Sequence, residues 1–213
     1  MKFIYQVLAS AALAASCAAA LEEGVILGES FGEPYGDTYS DLDLVGPGQT
    51  VESISIRSGK RVDAVIFEIT DPSGQSSTLH HGGGGGDKNT LKLGEDEYIT
   101  SWEAQWGDDG DRIQYIVFTT NKGNSIGGGV PTGNSGKDKA PKGYQLGGFI
   151  GCSGRELDQA GAIWTSIKPM QYQDYPEDTY IEVPRRGKRS RAHEHKRSRT
   201  HAHKRSQTQL QMD

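Results

Sequence analysis

Gly151-Cys152-Ser153-Gly154-Arg155-Glu156-Leu157-Asp158 holds a Gly-x-x-x-Asp spacing that Gly59-Lys60-Arg61-Val62-Asp63 repeats earlier in the chain. Two equivalent turns predict two equivalent sites. A glycine that lets the backbone turn tightly, two amides on the turn and an aspartate four residues on make a small cup of donors and acceptors. Such a cup suits the vicinal hydroxyls of a sugar.

Outward from these turns the chain reads as all-β. Val51 to Arg57, Val62 to Ile69 (Val65, Phe67 and Ile69 on one face) and Ile113 to Thr119 alternate with period two and are rich in β-branched and aromatic residues. Ser58-Gly59-Lys60 makes a hairpin turn between the first two. Shorter runs follow at Ser77 to His81, Thr90 to Leu93, Tyr98 to Trp106, Tyr144 to Ile150 and Ala160 to Ile167, separated by Gly-, Asp- and Asn-rich turns. Strands this short and this closely spaced indicate a sandwich, a barrel or a prism of sheets.

Six segments resemble the jacalin-related lectins in order and approximate spacing from about residue 25 to 168. They are Gly36-Asp37-Thr38-Tyr39; Ile54 to Gly59 with Val62 to Val65; His81 before the run Gly82 to Gly86; Glu97 to Thr100; Val117 to Lys122; and Gly148 to Gly154 with Leu157-Asp158. The resemblance implies a β-prism of three four-stranded antiparallel sheets about a pseudo-threefold axis, and carbohydrate binding without catalysis. Carried over by position, Asp158 accepts hydrogen bonds from two sugar hydroxyls. The amides of Arg155 and Glu156 on the Gly154 turn donate to ring and exocyclic oxygens, and Gly36 is the opposing backbone contact. A second site takes Asp63 and the Gly59 turn, with the amides of Lys60 and Arg61, together with the glycine loop at Gly83 and Gly84. Against it stands the reading that Asp63 merely ends a hairpin. Some members bind galactose beside a free amino terminus made by internal cleavage. Leu21 would lie well upstream of the site, so mannose- or glucose-type glycans are the expected ligands.

The loop Phe31-Gly32-Glu33-Pro34-Tyr35-Gly36 departs from the denser glycine run of the family, so Glu33, Pro34 and Tyr35 narrow or recharge the site. Acidic residues at the rim, Glu33 and Glu156 among them, disfavour anionic sugars. Trp106 is either a wall of the first site or half-buried packing. Gly107 to Asp111 has the same spacing but reads as an acidic hairpin, because it lacks the late glutamate of a calcium loop. No metal or cofactor is expected in the body.

The ends carry other signals. Met1 to Ala20, apolar from Val7 and ending in Ala18-Ala19-Ala20, reads as a signal peptide (residues 1–20), and the mature chain is expected to be secreted. Its loss leaves Cys152 without an internal partner, either a small buried thiol or a bridge between chains. The lectin-like domain is placed at residues 21–168, an acidic tyrosine-rich linker at 169–184 and a disordered basic tail at 185–213. Residues 1–184 hold 13 Lys+Arg against 26 Asp+Glu, whereas 185–213 hold 10 against 2. Within the tail, Lys188-Arg189-Ser190-Arg191-Ala192-His193-Glu194-His195 recurs with a spacing of eight as Lys196-Arg197-Ser198-Arg199-Thr200-His201-Ala202-His203. Three roles fit: dibasic processing, adhesion to anionic polysaccharide or membrane, and zinc or copper binding by the paired histidines. Nucleic acid is not an expected partner, since an exported chain would have to re-enter a cell.

The rival reading is an adhesion or structural protein whose tail does the binding while the prism is its scaffold. An enzyme is not expected: nothing pairs a base with Cys152, and His80 and His81 sit in a strand before the glycine loop. A shallow cup binds a monosaccharide near millimolar, about −4 kcal/mol. Avidity then comes from two sites or from a homo-oligomer.

Overall fold

A computed structural model describes residues 21–107 and 112–170. The expected signal peptide (residues 1–20) and the basic tail, with most of the expected linker, lie outside the described residues. Twelve strands follow one another: β1 (Val25–Gly32), β2 (Asp37–Ser40), β3 (Thr50–Ser58), β4 (Val62–Thr70), β5 (Ser76–Gly82), β6 (Asp87–Lys92), β7 (Ile99–Trp106), β8 (Ile113–Thr120), β9 (Ser125–Gly129), β10 (Asn134–Lys139), β11 (Tyr144–Ser153) and β12 (Leu157–Ser166). They form three antiparallel four-stranded sheets ordered β1-β12-β11-β2, β10-β7-β8-β9 and β5-β4-β3-β6. This is the β-prism expected from the sequence.

The sheets share one plan. A central hairpin (β11–β12, β7–β8 or β3–β4) is flanked by two edge strands, and the loop between the edge strands crosses the end of that hairpin. Each central hairpin has two register shifts, those nearest the turn falling at Cys152/Ser153, Gln105/Trp106 and Arg57/Ser58. A bulge sharpens the local twist and re-aims the side chains beyond it. Here it does so at the same place three times, just before the turns that bear the candidate site.

The core lies on the pseudo-threefold axis, where each sheet contributes large apolar side chains. Trp102 meets Phe149 at 4.9 Å, Phe149 meets Phe67 at 5.6 Å, and Phe67 meets Phe118 at 6.4 Å between ring centroids, all edge-on or stacked within a fully buried cluster. Truncating one such ring typically costs about 3–5 kcal/mol. Polar clasps tie neighbouring sheets. Buried Asp41 accepts from His81 Nε2 at 2.8 Å and from the Phe149 amide at 2.8 Å, and His81 stacks on Tyr39 at 3.9 Å. Elsewhere Asp138 Oδ2 accepts from Trp164 Nε1 at 3.0 Å and from the Glu29 amide at 2.9 Å. Cys152 is a buried free thiol, and Pro169 packs against Gly48, so the folded body runs slightly beyond residue 168.

The long alternating runs of the sequence became β3, β4 and β8. The edge strands β1, β2, β9 and β10 have no such run: Ser125-Ile126-Gly127-Gly128-Gly129 and Asn134 to Lys139 are extended because the neighbouring central strand offers them a ladder.

Candidate functional site

The three central hairpins turn at one end of the prism. In β11–β12, Ser153 pairs with Leu157 and the Gly154 amide donates to the Glu156 carbonyl at 3.0 Å. In β3–β4, Ser58 pairs with Val62 and the Gly59 amide donates to the Arg61 carbonyl at 3.1 Å. The turn is the same, and in both the second residue of the returning strand is an aspartate, Asp158 or Asp63. In β7–β8, Trp106 pairs with Ile113, which puts Gln114 at the third equivalent position. The acidic segment at 107–111 therefore does not supply a third aspartate there, and residues 108–111 lie outside the described residues. The loops agree with this equivalence, since Gly32, Gly82 and Gly129 face the carbonyl oxygens of Asp158, Asp63 and Gln114 in turn.

Asp158 sits at the floor of a cavity of about 380 Å³ walled by Tyr35, Gly36, Arg112 and the 154–156 turn. Gly36 has φ +75°, and a Cβ there would stand 2.7 Å from Asp158 Oδ2 and 2.7 Å from the Ser153 carbonyl oxygen. Only glycine lets the crossing loop approach the carboxylate this closely. The amides of Arg155 and Glu156 lie on the turn, outside the ladder. An acceptor-only carboxylate and turn amides thus border one small space, as a polyhydroxyl ligand requires.

A second cavity, of about 330 Å³, is bordered by Asp63 and by Gly83, Gly84 and Gly85. Gly86 repeats the part of Gly36: its φ is +59°, and a Cβ would stand 2.5 Å from Asp63 Oδ2 and 2.6 Å from the Ser58 carbonyl oxygen. The loop is held from behind by Arg57, whose Nε donates to Gly85 O at 2.8 Å and whose Nη2 donates to Gly84 O and Gly86 O, both at 2.9 Å. Gly83 presses on the Arg155 carbonyl, with a Cβ there only 2.5 Å from that oxygen, so Arg155 and Glu156 border both cavities.

Charge completes the picture. Arg61, Glu156 and Arg112 occupy the same position in their three hairpins, one residue before the first paired apolar residue of the returning strand. Arg61 Nη2 meets Glu156 Oε1 at 2.7 Å, Arg112 Nε meets Glu156 Oε2 at 2.9 Å, and Arg112 Nε lies 3.4 Å from Asp158 Oδ1. Tyr39 donates to the Gln159 carbonyl at 3.0 Å; burial first, then electrostatic interaction with Asp41, Cys152 and Asp158, holds its hydroxyl well above the usual tyrosine range. A larger cleft, of about 410 Å³, opens at the other end between Gln49, Glu97 and Gln145. Its polar groups are turned inward: Gln49 bonds Gly46 and Gly147, Gln145 bonds Gln49, and Glu97 accepts from Thr120, Asn124 and Gly94.

A jacalin-like lectin domain profile matches residues 28–163. The chain belongs to the jacalin-like lectin domain family. It is a carbohydrate-binding protein without catalysis. Horcolin from Hordeum vulgare subsp. vulgare is 32% identical over 113 residues, spanning 51% of this chain and 77% of that one. Calsepa from Calystegia sepium is 31% identical over 109 residues, 48% and 71% of the two chains. Among solved structures, that of Malaysian banana lectin superposes with a TM-score of 0.58 at 26% identity, covering 67% of this chain and 99% of that one.

Gly36, Gly154, Arg155, Glu156 and Asp158 come together at one cavity, and Asp63, Gly83 and Gly84 at the other; of the remaining residues expected at the second site, Arg61 borders the first cavity and Gly59 and Lys60 border neither. Several particulars differ from the sequence reading. Asp158, read as an acceptor for two sugar hydroxyls, is only 4% exposed, because Gly36 and Arg112 close over it. Glu156 was expected to repel anions from the rim, yet it is neutralised between two arginines. Of the two readings of Trp106, half-buried packing is the one the structure shows: it lines neither cavity, stacks on Phe31 at 6.0 Å and 13° and packs against the core. The approach of Arg112 to Asp158 and the brace made by Arg57 were missed. Aligning Ile113 with Val62 and Leu157 would have found the position of Arg112, since each begins a returning strand after a turn.

Proposed function

We propose that this jacalin-like lectin is exported and binds mannose- or glucose-type glycans at the Asp158 cup, with the Asp63 cup as a second, independent site. The observation that carries the reading is the Asp158 carboxylate lodged against Gly36 and bordered by the Gly154 turn, a set of one acceptor and several donors around a cavity with room for a monosaccharide. Near-equivalent backbone at Asp63 supports the second site. The relative Calsepa has been solved in complex with a biantennary N-glycan, so a glycan ligand is known for a chain similar to this one.

The basic repeat at 185–213 favours an accessory role, adhesion to anionic polysaccharide or membrane by charge alone. A glycan array probed with the full mature chain at low and raised salt, with and without free methyl α-mannoside, separates the two activities. Salt-resistant binding to mannose- or glucose-bearing glycans, displaced by the free sugar, is the expected result. Binding confined to sulfated or uronic glycans and erased by salt, as screening of unpaired charges demands, would move the function to the tail.

A further inference from the structure

We infer that Tyr39 is a positioning residue of the Asp158 cup: its hydroxyl, held in place by His81 of the neighbouring sheet, pins the backbone that aims the Asp158 carboxylate. The inference rests on the placement of the sugar at Asp158. The strand register shows why that carboxylate needs an anchor. Ser153 pairs with Leu157 and Cys152 with Gln159, so Asp158 is the residue that the ladder skips. Asp63 is skipped in the same way, between Val62 and Ala64. The extra residue of a bulge is left unpaired, so its side chain points where the adjoining backbone sends it.

At the Asp158 cup that backbone is tied from both sides. Tyr39 of β2 lies opposite Gly151 of β11, and its hydroxyl reaches past that strand to donate to the Gln159 carbonyl of β12 at 3.0 Å. The reach requires glycine at 151, where a Cβ would stand 2.9 Å from the Tyr39 oxygen and against the Gln159 carbonyl. Gln159 Nε2 donates in turn to the Gly32 carbonyl at 3.3 Å. The residue after Asp158 is therefore bound to β1 through Gly32 and to β2 through Tyr39, the two strands that the Gly36 loop connects. The tyrosine ring is itself fixed. His81 of β5 stacks on it at 3.9 Å and 11°, and buried Asp41 holds His81 by its Nε2 at 2.8 Å while accepting the Phe149 amide. Burial, and after it the electrostatic interaction with Asp41, Cys152 and Asp158, keeps the hydroxyl protonated at neutral pH, so it remains a donor.

The matching positions at the Asp63 cup are filled otherwise. Fully buried Ile56 stands where Gly151 does, and exposed Asn89 where Tyr39 does. That cup is braced through its glycine loop by Arg57. A binding group has to be held within about 0.5 Å of its productive position by neighbours that are themselves fixed. A carboxylate that accepts two sugar hydroxyls at once depends on its aim, so freeing the Gln159 carbonyl weakens the Asp158 cup alone.

The test uses the full mature chain and follows methyl α-mannoside at each cup by NMR titration. Tyr39→Phe keeps the ring and its stack on His81 and removes only the donor. Affinity at the Asp158 cup should fall about fivefold, the scale of one neutral hydrogen bond, with the Asp63 cup unaltered. The carboxyl carbon resonance of Asp158 should move and that of Asp63 should not, a response that lowered stability by itself does not produce. Ile69→Val, a truncation of a buried residue toward the far end of β4, is the stability control and should lower the melting temperature while leaving both cups as they were. Should Tyr39→Phe fold poorly, His81→Gln carries the comparison: it keeps a donor for Asp41, removes the ring that holds Tyr39, and should show the same selective loss. Undiminished affinity at the Asp158 cup, or equal losses at both cups in step with the melting temperature, overturns the role of Tyr39 while leaving the cup in place. Undiminished binding after Asp158→Ala overturns the placement of the sugar itself, and this inference with it.

Discussion

The Asp158 and Asp63 cups are two copies of one backbone furnished with different side chains. In both, a glycine of positive φ brings a crossing loop against the carboxylate, and a bulged hairpin returns the aspartate to the same place. They differ in what surrounds that frame. The first loop carries the exposed Tyr35, whereas the second is all glycine and braced from behind by Arg57. Tyr39 in β2 and Asn89 in β6 hold matching positions beside their central hairpins. Arg112 stands beside one carboxylate and Glu156 beside the other. The main chain thus repeats between the two cups, while the side chains around each carboxylate differ.

The largest expected effect that would sharpen this contrast comes from Asp158→Ala. Affinity at the Asp158 cup, read by NMR titration of the two sites, should fall by tenfold or more, to below detection for a millimolar site, while Asp63→Ala leaves that cup unaltered and removes binding at its own. The melting temperature of Asp158→Ala should stay within a few degrees of the unaltered protein, since the core residues are untouched. Binding that survives Asp158→Ala and disappears with Asp63→Ala would reverse the ranking of the two cups.

Next come the two glycines. Gly36→Ala and Gly86→Ala each force an L-residue into the left-handed region, at about 1–2 kcal/mol, and drive a methyl group onto the carboxylate and a carbonyl oxygen. Each should lower affinity about tenfold at its own cup alone, read by NMR titration of the two sites. Equal losses at both cups from either change would mean that the cups are not independent. Arg57→Lys is smaller. One ammonium cannot hold three carbonyls in the plane a guanidinium spans, so the Asp63 cup should weaken by about threefold with the Asp158 cup unaltered.

The smallest effect is a stability difference in alkali. The tyrosine hydroxyl of an unfolded chain titrates near 10, and that of Tyr39 in the folded protein lies well above, because of burial and then the anions around it. A folded value above the unfolded one gives stability that is complete below about pH 10 and lost as pH rises through the folded value. Melting temperatures should therefore decline above pH 10, and less steeply in Tyr39→Phe. Parallel curves for the two proteins would remove Tyr39 as the cause.

Some of this was legible in the residues and some was not, and the division follows interaction range. Val51 to Arg57, Val62 to Ile69 and Ile113 to Thr119 announce strands because each has a buried face of its own. The strand Asn134-Ser135-Gly136-Lys137-Asp138-Lys139 buries no apolar side chain and exists by pairing with β7, so nothing local marks it. The same holds at the site. The spacing of Gly154 to Asp158 and of Gly59 to Asp63 is a short-range pattern and could be read directly. The approach of Arg112 to Asp158 joins residues far apart in the chain and needs the threefold arrangement of sheets to exist first.

The sequence by itself determined the all-β class, the recurring Gly-x-x-x-Asp turns and the contrast between an acidic body and a basic tail, because alternation, turn chemistry and charge act within a few residues. Only the tertiary structure decided that Asp158 is nearly buried, that Glu156 is clasped between Arg61 and Arg112, and that Arg112 of the β7–β8 hairpin stands beside Asp158. Those outcomes depend on three hairpins converging at one end of a prism, and electrostatic and hydrogen-bonding contacts form wherever the fold brings groups together, whatever their separation along the chain.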